Sequence, residues 1–390
     1  MLATITVLPN NSAPGAALRD ANLPAGFLST RGSQIIGSEG SPIRIASVGL
    51  TGMNVVGGRL QLEGPFEGIE GHVSAMRAIG FNCVRVDWID QTLDDTGAMA
   101  QLDQFVAACQ KVGLKVIFDN HNNEATSADW GNAAQQKNGL WFDTGPGTDG
   151  TDGTVKHGTV SHARFQTDWV MFARHWAGNS TVIGFDLRNE PCAHTPTPAL
   201  WGGNGPTDIH AMYESVGNAI LKVNPDALII CEAVINYKNE AFEGDLFVVH
   251  SLPVVLSNPA KLVYSVHEYP KEIGGYLGPE SGAGYINRMN KSWGWLITQD
   301  VAPVWIGEMG ASMTSSASKA WGQTLLDYMD GKAPGGPKFS GHQQPIGGDW
   351  WAWGCLTGQN PDGCLGEDGQ IRPEQASFIR QMLFCPNPEL

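Results

Sequence analysis

Residues 69–121 read IEGHVSAMRAIGFNCVRVDWIDQTLDDTGAMAQLDQFVAACQKVGLKVIFDNH and contain one pattern twice. In each copy an amphipathic stretch with helical spacing precedes an apolar, β-rich run, first CVRVDW and then KVIFDNH. Strands that alternate with helices in this way pair in parallel, because each helix carries the chain back to the start of the next strand. The stretch therefore predicts an α/β fold.

The same alternation extends over most of the chain. Eight runs are candidate strands, at residues 42–50, 83–88, 115–121, 182–190, 227–233, 262–269, 303–308 and 348–354. Of the segments that join them, residues 237–261 are the least clearly helical. Eight β/α units predict a single-domain (β/α)8 TIM barrel with long βα loops, which we place at residues 28–390 behind a short N-terminal extension, residues 1–27. A doubly wound sheet is the alternative, but VGLTGMN after the first strand is not the phosphate-binding turn which that fold requires.

Composition narrows the classes of function. The 390 residues are 42% hydrophobic and 16% charged, which excludes a disordered chain, and no apolar run is long enough to span a membrane. A net charge of -15 has the wrong sign for holding phosphates, so we expect no nucleic-acid or membrane partner. Thirteen tryptophans hint at carbohydrate, because flat aromatic faces stack on sugar rings.

The cysteines and the first residues of the chain provide evidence on the cellular compartment of the protein. Cys355 and Cys364 flank a polar loop and would form a small disulfide in an oxidising compartment. The opening MLATITVLPNN lacks the basic and apolar regions of a signal peptide, so either the protein is not secreted or this is its sequence without the leader. We expect a secreted or periplasmic protein.

One Gly- and Asp-rich stretch, residues 143–152, contains a literal G-x-G-x-x-G. It neither follows a clear strand nor opens a helix, so a nucleotide site is disfavoured. Its aspartates could hold calcium, but they lack the spacing of a calcium-binding loop. We interpret the stretch as a solvated loop.

Chemistry in a (β/α)8 barrel sits at the C-terminal ends of the strands, and the predicted strand ends here are unusually polar. They carry Arg85, His121, Asn189, Glu190, His267, Tyr269, Glu308, Trp350, Trp351 and Trp353. Each residue alone has a structural explanation. Together they predict one ring of acids, histidines, an arginine and aromatics around a single mouth.

Glu190 and Glu308 end the fourth and seventh of eight strands and best fit opposing positions. Two carboxylates across a sugar-binding cleft are the minimum apparatus for hydrolysing a glycosidic bond. Glu268 should point into the helix shell because side chains alternate along a strand, Asp87 could pair with Arg85, and Glu232 is the runner-up acid.

Rival chemistries lack their motifs. The sequence has no H-E-x-x-H zinc motif and no G-x-S-x-G elbow of a serine hydrolase. We therefore predict no metal and no cofactor, and we interpret the histidines as hydrogen-bonding residues.

Several segments together resemble glycoside hydrolase family 5, and within it the bacterial endo-β-1,4-glucanases, or cellulases. The resembling segments are IRIASVGL, GFNCVRVD, GLKVIFDNH, VIGFDLRNEP, LVYSVHEY, APVWIGEMG and WWAW. NEP after an apolar strand, followed downstream by H-x-Y and by an apolar strand ending in GE, is a specific combination. The resemblance implies a (β/α)8 barrel that cleaves by a retaining double displacement.

The resemblance also implies roles for individual residues. Glu190 would be the acid/base and Glu308 the nucleophile. Asn189 would bind the sugar 2-hydroxyl, while Arg85 and Tyr269 would hold the nucleophile charged and in place. The remaining residues implied to line the same subsite are His121, His267 and, as its aromatic floor, Trp351.

The resulting prediction is a hydrolase of β-1,4-glucosidic bonds in cellulose or related β-glucans. Segments such as LTGMN and GCLTGQNPDG differ from the cellulase pattern, which leaves β-mannanase or mixed-linkage β-glucanase as alternatives within the family. A glycan-binding pseudoenzyme would have lost one carboxylate, whereas both are present. A barrel lyase or isomerase would need a metal cluster or a strand-end lysine, and neither is evident.

Overall fold

The computed structural model describes most of the chain. The described residues are 23, 25–55, 57–62, 64–125, 136, 138–144, 158, 160–193, 195, 197–235, 245–274, 278–354, 363–366 and 370–383. Cys364 lies buried, but its predicted partner Cys355 is outside these residues, so the disulfide stays a prediction. Most of the 143–152 loop and of the N-terminal extension also lies outside them.

A small antiparallel sheet precedes the barrel. Its strands are β1 (Ser29–Arg31), β2 (Gln34–Ile36) and β3 (Pro42–Ile43), with β2 in the middle. The first predicted strand, residues 42–50, is therefore divided in the structure. Pro42–Ile43 pairs with β2, while the barrel strand begins at Ala46.

Eight parallel strands form a closed barrel, which confirms the predicted (β/α)8 fold. They are β4 (Ala46–Leu50), β5 (Cys83–Ile89), β6 (Lys115–Asn122), β7 (Val182–Asp186), β8 (Leu228–Glu232), β9 (Leu262–Glu268), β10 (Val304–Met309) and β11 (Gly348–Trp350). Neighbours in sequence are neighbours in the barrel, and β11 closes it by pairing with β4. All carboxyl ends therefore meet at one mouth.

Two barrel strands end well before their predicted last residues. β7 ends at Asp186 rather than at residue 190, and β11 ends at Trp350 rather than at residue 354. After β7 the chain crosses between neighbours, because the Leu187 amide donates to Ile230 on β8 whereas the Asn189 amide donates to Asn120 on β6. The residues that follow β7 therefore leave the regular pairing of the sheet and lie at the mouth of the barrel.

Nine α-helices lie among the described residues. They are α1 (Gly68–Ile79), α2 (Thr96–Val112), α3 (His162–His175), α4 (Ile209–Leu221), α5 (Lys271–Gly274), α6 (Gly282–Met289), α7 (Trp295–Thr298), α8 (Ser316–Met329) and α9 (Pro373–Leu383). Short 3₁₀ turns span Asp90–Asp94, Phe247–His250 and Pro259–Lys261, and one π-helical turn spans Asn290–Gly294. The described part of the connection before β9 holds only 3₁₀ turns, as its weak periodicity indicated.

The ends of the helices follow from their sequence. The Asp95 side chain caps α2 by accepting the amides of Gly97 and Ala98. Gly80 and Gly113 end α1 and α2 with φ of 116° and 77°, a left-handed conformation that glycine adopts without steric cost. In the part of the chain that the structure describes, every helix is too short or too polar to cross a membrane.

The N-terminal end of the barrel is closed by the small sheet. Leu28 and Ile35 pack in one buried cluster with residues at the starts of the barrel strands, such as Ile117 and Trp305. The Lys261 ammonium group is held over this end by the main-chain oxygens of Leu28, at 2.6 Å, and Asp226, at 2.8 Å. Access to the barrel interior is thus left to the opposite end, where the polar strand ends lie.

Candidate active site

Glu308, near the end of β10, is held at both carboxylate oxygens. Arg85 Nη1 lies 2.7 Å from Oε1, and the Tyr269 hydroxyl donates to Oε2 at 2.8 Å. Glu308 is only 4% exposed. A guanidinium and a phenol hydroxyl both donate to the carboxylate, so the Glu308 side chain is fixed in position at both oxygens.

Arg85 is buried in the barrel interior, where it hydrogen-bonds to three side chains, Glu308 among them, and forms an ion pair with a fourth. Its Nη2 is 3.0 Å from Asn189 Oδ1, 3.0 Å from Asp186 Oδ2 and 3.1 Å from Asp119 Oδ1. The considered pairing with Asp87 is wrong, since Asp87 accepts hydrogen bonds from Thr51 and from the amides of Gly52 and Met53. The long Arg85 side chain reaches across the barrel to β6, β7 and β10, whereas Asp87 supports the loop after β4.

Glu190 faces Glu308 across the mouth, with His267 beside both. His267 Nδ1 is 2.8 Å from Glu190 Oε1 and 3.5 Å from Glu308 Oε2. One carboxylate oxygen from each glutamate and one His267 nitrogen all lie within 4.8 Å of one another. Glu190 has a φ of 44°, an uncommon backbone conformation for a residue with a side chain. The two glutamates are therefore close enough to act on a single bond.

His121, Asn189 and Trp351 complete the ring. His121 Nε2 lies 3.3 Å from Asn189 Nδ2, and His121 Nδ1 lies 2.6 Å from Asp119. The Trp351 ring stacks on His121 with a centroid separation of 5.3 Å and an interplanar angle of 9°. All eight predicted site residues thus lie together. Trp350 and Trp353 do not join them, because both are buried among helix residues.

Burial determines the protonation of the imidazoles. It lowers the pKa of His267 to about 3, although the neighbouring Glu308 opposes the shift. Burial also lowers the pKa of His121. Both rings are therefore neutral near pH 7, each with one nitrogen as donor and the other as acceptor. They orient neighbouring groups rather than act as cations.

A layer of buried acids lies beneath the ring and was missed at the sequence level. Burial raises the pKa of Asp119 to about 6 and that of Asp186 to about 7, while Arg85 opposes both shifts. Burial also raises the pKa of Asp349 well above its usual range. Two of these acids could have been found by the two-residue period of a strand, because Asp119 precedes His121 and Asp349 precedes Trp351 by two positions.

A metal ion fits the site poorly. Glu190, His267 and Glu308 place ligand atoms within reach of one ion. However, Arg85 and Tyr269 already contact both oxygens of Glu308, and a fixed guanidinium repels a cation. The predicted absence of a metal stays a prediction.

A separate cavity of about 680 Å³ lies at the starts of β9 and β10. It is lined mainly by apolar residues such as Val249, Leu262 and Val301, and none of the predicted site residues lines it. It lies at the N-terminal end of these strands, away from the catalytic groups.

The fold and the ring of strand-end residues define a barrel hydrolase site, and comparison with known proteins agrees with this. The family model for Cellulase (glycosyl hydrolase family 5) matches residues 39–354. The chain therefore belongs to glycosyl hydrolase family 5 and is a glycoside hydrolase.

Two relatives are similar to the chain over most of its length. An endoglucanase from Paenibacillus polymyxa is 26% identical over 80% of this chain and 78% of its own length. Endoglucanase B from Acetivibrio thermocellus is 25% identical over 84% of this chain and 65% of its own length.

Solved structures share the fold. An endocellulase from Pyrococcus horikoshii, in complex with cellotetraose, has a TM-score of 0.73 at 21% identity, over 92% of this chain and 98% of that one. The catalytic domain of the major endoglucanase from Xanthomonas campestris has a TM-score of 0.70 at 20% identity, over 92% and 100%.

Proposed function

We propose that this protein hydrolyses β-1,4-glucosidic bonds in cellulose or related β-glucans, with retention of the anomeric configuration. The observation that carries the proposal is the pair Glu190 and Glu308, whose nearest oxygens lie within 4.8 Å across the mouth of the barrel. The endoglucanase relatives support the substrate class.

The separation of the two carboxylates favours direct attack on the sugar. Retaining glycosidases place their carboxyl groups about 5 to 5.5 Å apart, whereas inverting enzymes need about 6.5 to 9.5 Å to admit a water molecule. The Glu308 carboxylate, charged and fixed by Arg85 and Tyr269, is the nucleophile. It forms a bond to the anomeric carbon as the glycosidic bond breaks.

Glu190 supplies and then removes a proton. The negative charge of Glu308 favours the protonated form of Glu190, which donates its proton to the leaving oxygen. Once Glu308 is esterified, its charge is gone and Glu190 is ionised. Glu190 then takes a proton from water as the water attacks the anomeric carbon, which releases the sugar and restores Glu308.

The remaining ring residues hold the sugar. Asn189 Oδ1 is engaged by Arg85, which directs its amide nitrogen toward His121 and the mouth, where a 2-hydroxyl would accept from it. The Trp351 ring is half-buried and offers a face on which a sugar can stack. His121 and His267 provide neutral hydrogen-bonding nitrogens.

Two variants test the mechanism. Glu308→Gln removes the nucleophile and is expected to be essentially inactive on every substrate. Glu190→Ala is expected to lose about 10² to 10⁴ in rate on polysaccharide but to retain activity on aryl glycosides with good leaving groups. Azide should rescue this variant and yield a β-glycosyl azide. An inverted anomer as the first product, seen by NMR, would refute the double displacement.

A product-resolved screen tests the substrate. We expect oligosaccharides from soluble β-1,4-glucan to exceed those from mixed-linkage glucan, mannan and xylan. Faster release from mannan or from mixed-linkage glucan would replace the proposed substrate with one of the two alternatives in the family.

We further propose that the protein acts outside the cytoplasm, because a polymeric substrate does not cross a membrane. One relative, 23% identical over 79% of this chain, is named as the major extracellular endoglucanase of Xanthomonas campestris. Activity confined to the cytoplasmic fraction of the source cells would contradict this location.

A further inference from the structure

Glu232, the last residue of β8, contacts Glu190 through the backbone. Its carboxyl group is buried, with the residue only 1% exposed, and Oε2 accepts the Glu190 amide N–H at 2.7 Å. Its main-chain oxygen in turn accepts the Tyr213 hydroxyl at 2.8 Å. The carboxyl group is therefore directed at the acid/base residue, while Tyr213 contacts only the main chain of Glu232.

This contact coincides with the unusual backbone of Glu190. A non-glycine residue with φ of 44° adopts a conformation that costs energy, and such residues persist when the surroundings over-determine them. The hydrogen bond from the Glu190 amide to Glu232 is one such restraint.

The imidazole of His267 lies between the second carboxyl oxygen of Glu232 and the carboxyl group of Glu190. Glu232 Oε1 lies 3.5 Å from His267 Nε2, while His267 Nδ1 lies 2.8 Å from Glu190 Oε1. Among the described residues neither Glu232 Oε1 nor His267 Nε2 makes a hydrogen bond, so the 3.5 Å contact is an approach of two buried atoms that a small side-chain movement would bring into a hydrogen bond. The three side chains thus form a carboxyl–imidazole–carboxyl chain that ends at Glu190.

We propose that Glu232 is a positioning residue for Glu190: it holds the backbone of the acid/base and, through His267, determines which imidazole nitrogen carries the proton. The proposal rests on the function proposed above.

The chain has two states with the same number of protons. When Glu232 is ionised, it can accept a hydrogen bond from Nε2–H of His267, and the unprotonated Nδ1 then accepts a hydrogen bond from the carboxyl O–H of protonated Glu190. When Glu232 is protonated, it donates to Nε2, and Nδ1–H donates to an ionised Glu190. Passing from the first state to the second moves one proton from Glu190 to His267 and one from His267 to Glu232, with no net change in charge.

Other charged groups face the chain and affect both states. Those near His267 are Glu308, Arg85 and His121, and those near Glu232 are Asp186 and Arg85. Burial raises the pKa of Glu232 well above its usual range, and the neighbouring Asp186 and Glu190 raise it further. Burial and these neighbouring acids thus act against the ionised form of Glu232.

Glu232→Gln separates this role from a structural one. The glutamine oxygen can still accept the Glu190 amide, but its NH2 group can only donate to His267 Nε2. His267 is then fixed with its proton on Nδ1, which stabilises ionised Glu190. We expect kcat/KM to fall about 10- to 100-fold for substrates with poor leaving groups and to change little for dinitrophenyl glycosides. The alkaline limb of the pH profile should move to lower pH.

Tyr213→Phe is the matched control. It removes the hydrogen bond to the main chain of Glu232 but leaves the carboxyl group in place. It should lower the melting temperature with equal effects on good and poor leaving groups. An equal loss on both substrates in Glu232→Gln, or an unmoved alkaline limb, would overturn the proposal.

A second measurement uses the wild-type protein and does not depend on the variant folding. ¹⁵N NMR of labelled histidine reports which His267 nitrogen carries the proton. We expect the proton on Nε2 in the free enzyme and on Nδ1 when Glu308 is trapped as a 2-fluoroglycosyl ester. Glu190 has then given its proton to the leaving group, and one proton taken up from solvent leaves Nδ1–H facing ionised Glu190 and a protonated Glu232 facing Nε2. The same His267 tautomer in both states would refute the proposed role of Glu232 in determining which imidazole nitrogen carries the proton. A wild type that cleaves no β-glucan would instead refute the proposed function.

Discussion

Glu190 and Glu308 are the same residue type in contrasting surroundings. Glu308 contacts a guanidinium and a phenol hydroxyl, whereas Glu190 contacts a neutral imidazole and, through its own amide, a buried carboxyl group. Environment rather than residue type assigns acid and nucleophile in such pairs. The proposed roles therefore depend on single contacts that can be removed one at a time.

Tyr269→Phe removes the hydroxyl that donates to Glu308 Oε2 at 2.8 Å. A hydrogen bond to a charged group contributes about 1.5 to 3 kcal/mol, so we expect kcat to fall roughly 10- to 100-fold. KM should change little, because the contact is to the nucleophile and not to the sugar. Steady-state kinetics on a soluble β-glucan measures both constants.

The control for this prediction is Tyr328→Phe. The Tyr328 hydroxyl donates to Asn290 between helices, away from the site, so kcat should remain near the wild-type value. A Tyr269→Phe variant with altered KM and unchanged kcat would show that the residue binds substrate instead.

At the scale of elements, α1 joins the barrel where its first and last strands meet. His72 on α1 is buried beside Phe66 and Trp353, and the Trp353 indole N–H donates to His72 Nδ1 at 2.9 Å. Nδ1 must be unprotonated to accept this bond. Burial lowers the pKa of His72 to about 4. The hydrogen bond that joins α1 to Trp353, just after the last barrel strand, therefore requires a neutral His72.

This coupling predicts a loss of stability in mild acid. The pKa of His72 is about 4 in the fold and about 6.5 in an unfolded chain, so the unfolded state binds a proton first as the pH falls. Stability from this group is present above pH 6.5 and is lost as the pH falls toward 4. His72→Gln should reduce the fall in melting temperature over this range.

The matched control is His342→Gln, because His342 is exposed on the surface. Its melting curves between pH 4 and 7 should parallel those of the wild type. If His72→Gln also paralleled the wild type, the buried histidine would not be the source of the acid sensitivity.

At the scale of the whole molecule, the barrel interior holds more acids than bases. Arg85 is in contact with Asp119, Asp186 and Glu308, and Asp349 lies nearby. The Arg85 guanidinium does not offset the burial of the aspartates, so the pKa values of Asp119, Asp186 and Asp349 are all raised. The small N-terminal sheet closes one end of this interior, and the active site lies at the other.

Asp186→Asn tests this imbalance. Burial raises the pKa of Asp186 to about 7, whereas an unfolded aspartate has a pKa of about 3.9, so between these values the folded state binds more protons. Stability from this group is present below pH 4 and is lost as the pH rises to 7. The melting temperature of the wild type should therefore fall relative to that of Asp186→Asn over this window.

Asp226→Asn serves as the control, since Asp226 is exposed. The melting temperature of this variant should differ from that of the wild type by the same amount at each pH. A difference between wild type and Asp186→Asn that stayed constant from pH 4 to 7 would mean that Asp186 is ionised throughout.

The sequence by itself determined the barrel and the membership of the site. Alternating periodicity predicted all eight strands, and strand direction brought Arg85, Glu190, His267 and Glu308 to one mouth, because parallel strands end at the same edge. These properties are local, since they depend on residues a few positions apart and on the direction of each strand.

Only the tertiary structure decided which side chains meet. Arg85 is paired with Asp186 and Asp119 and not with Asp87, and Glu232 supports Glu190 from the neighbouring strand. Such pairings depend on how far a side chain reaches across the closed barrel and on where β7 leaves its ladder. They involve residues as far apart as Arg85 and Asp186, which are 101 positions apart, and no local pattern records a contact of that range.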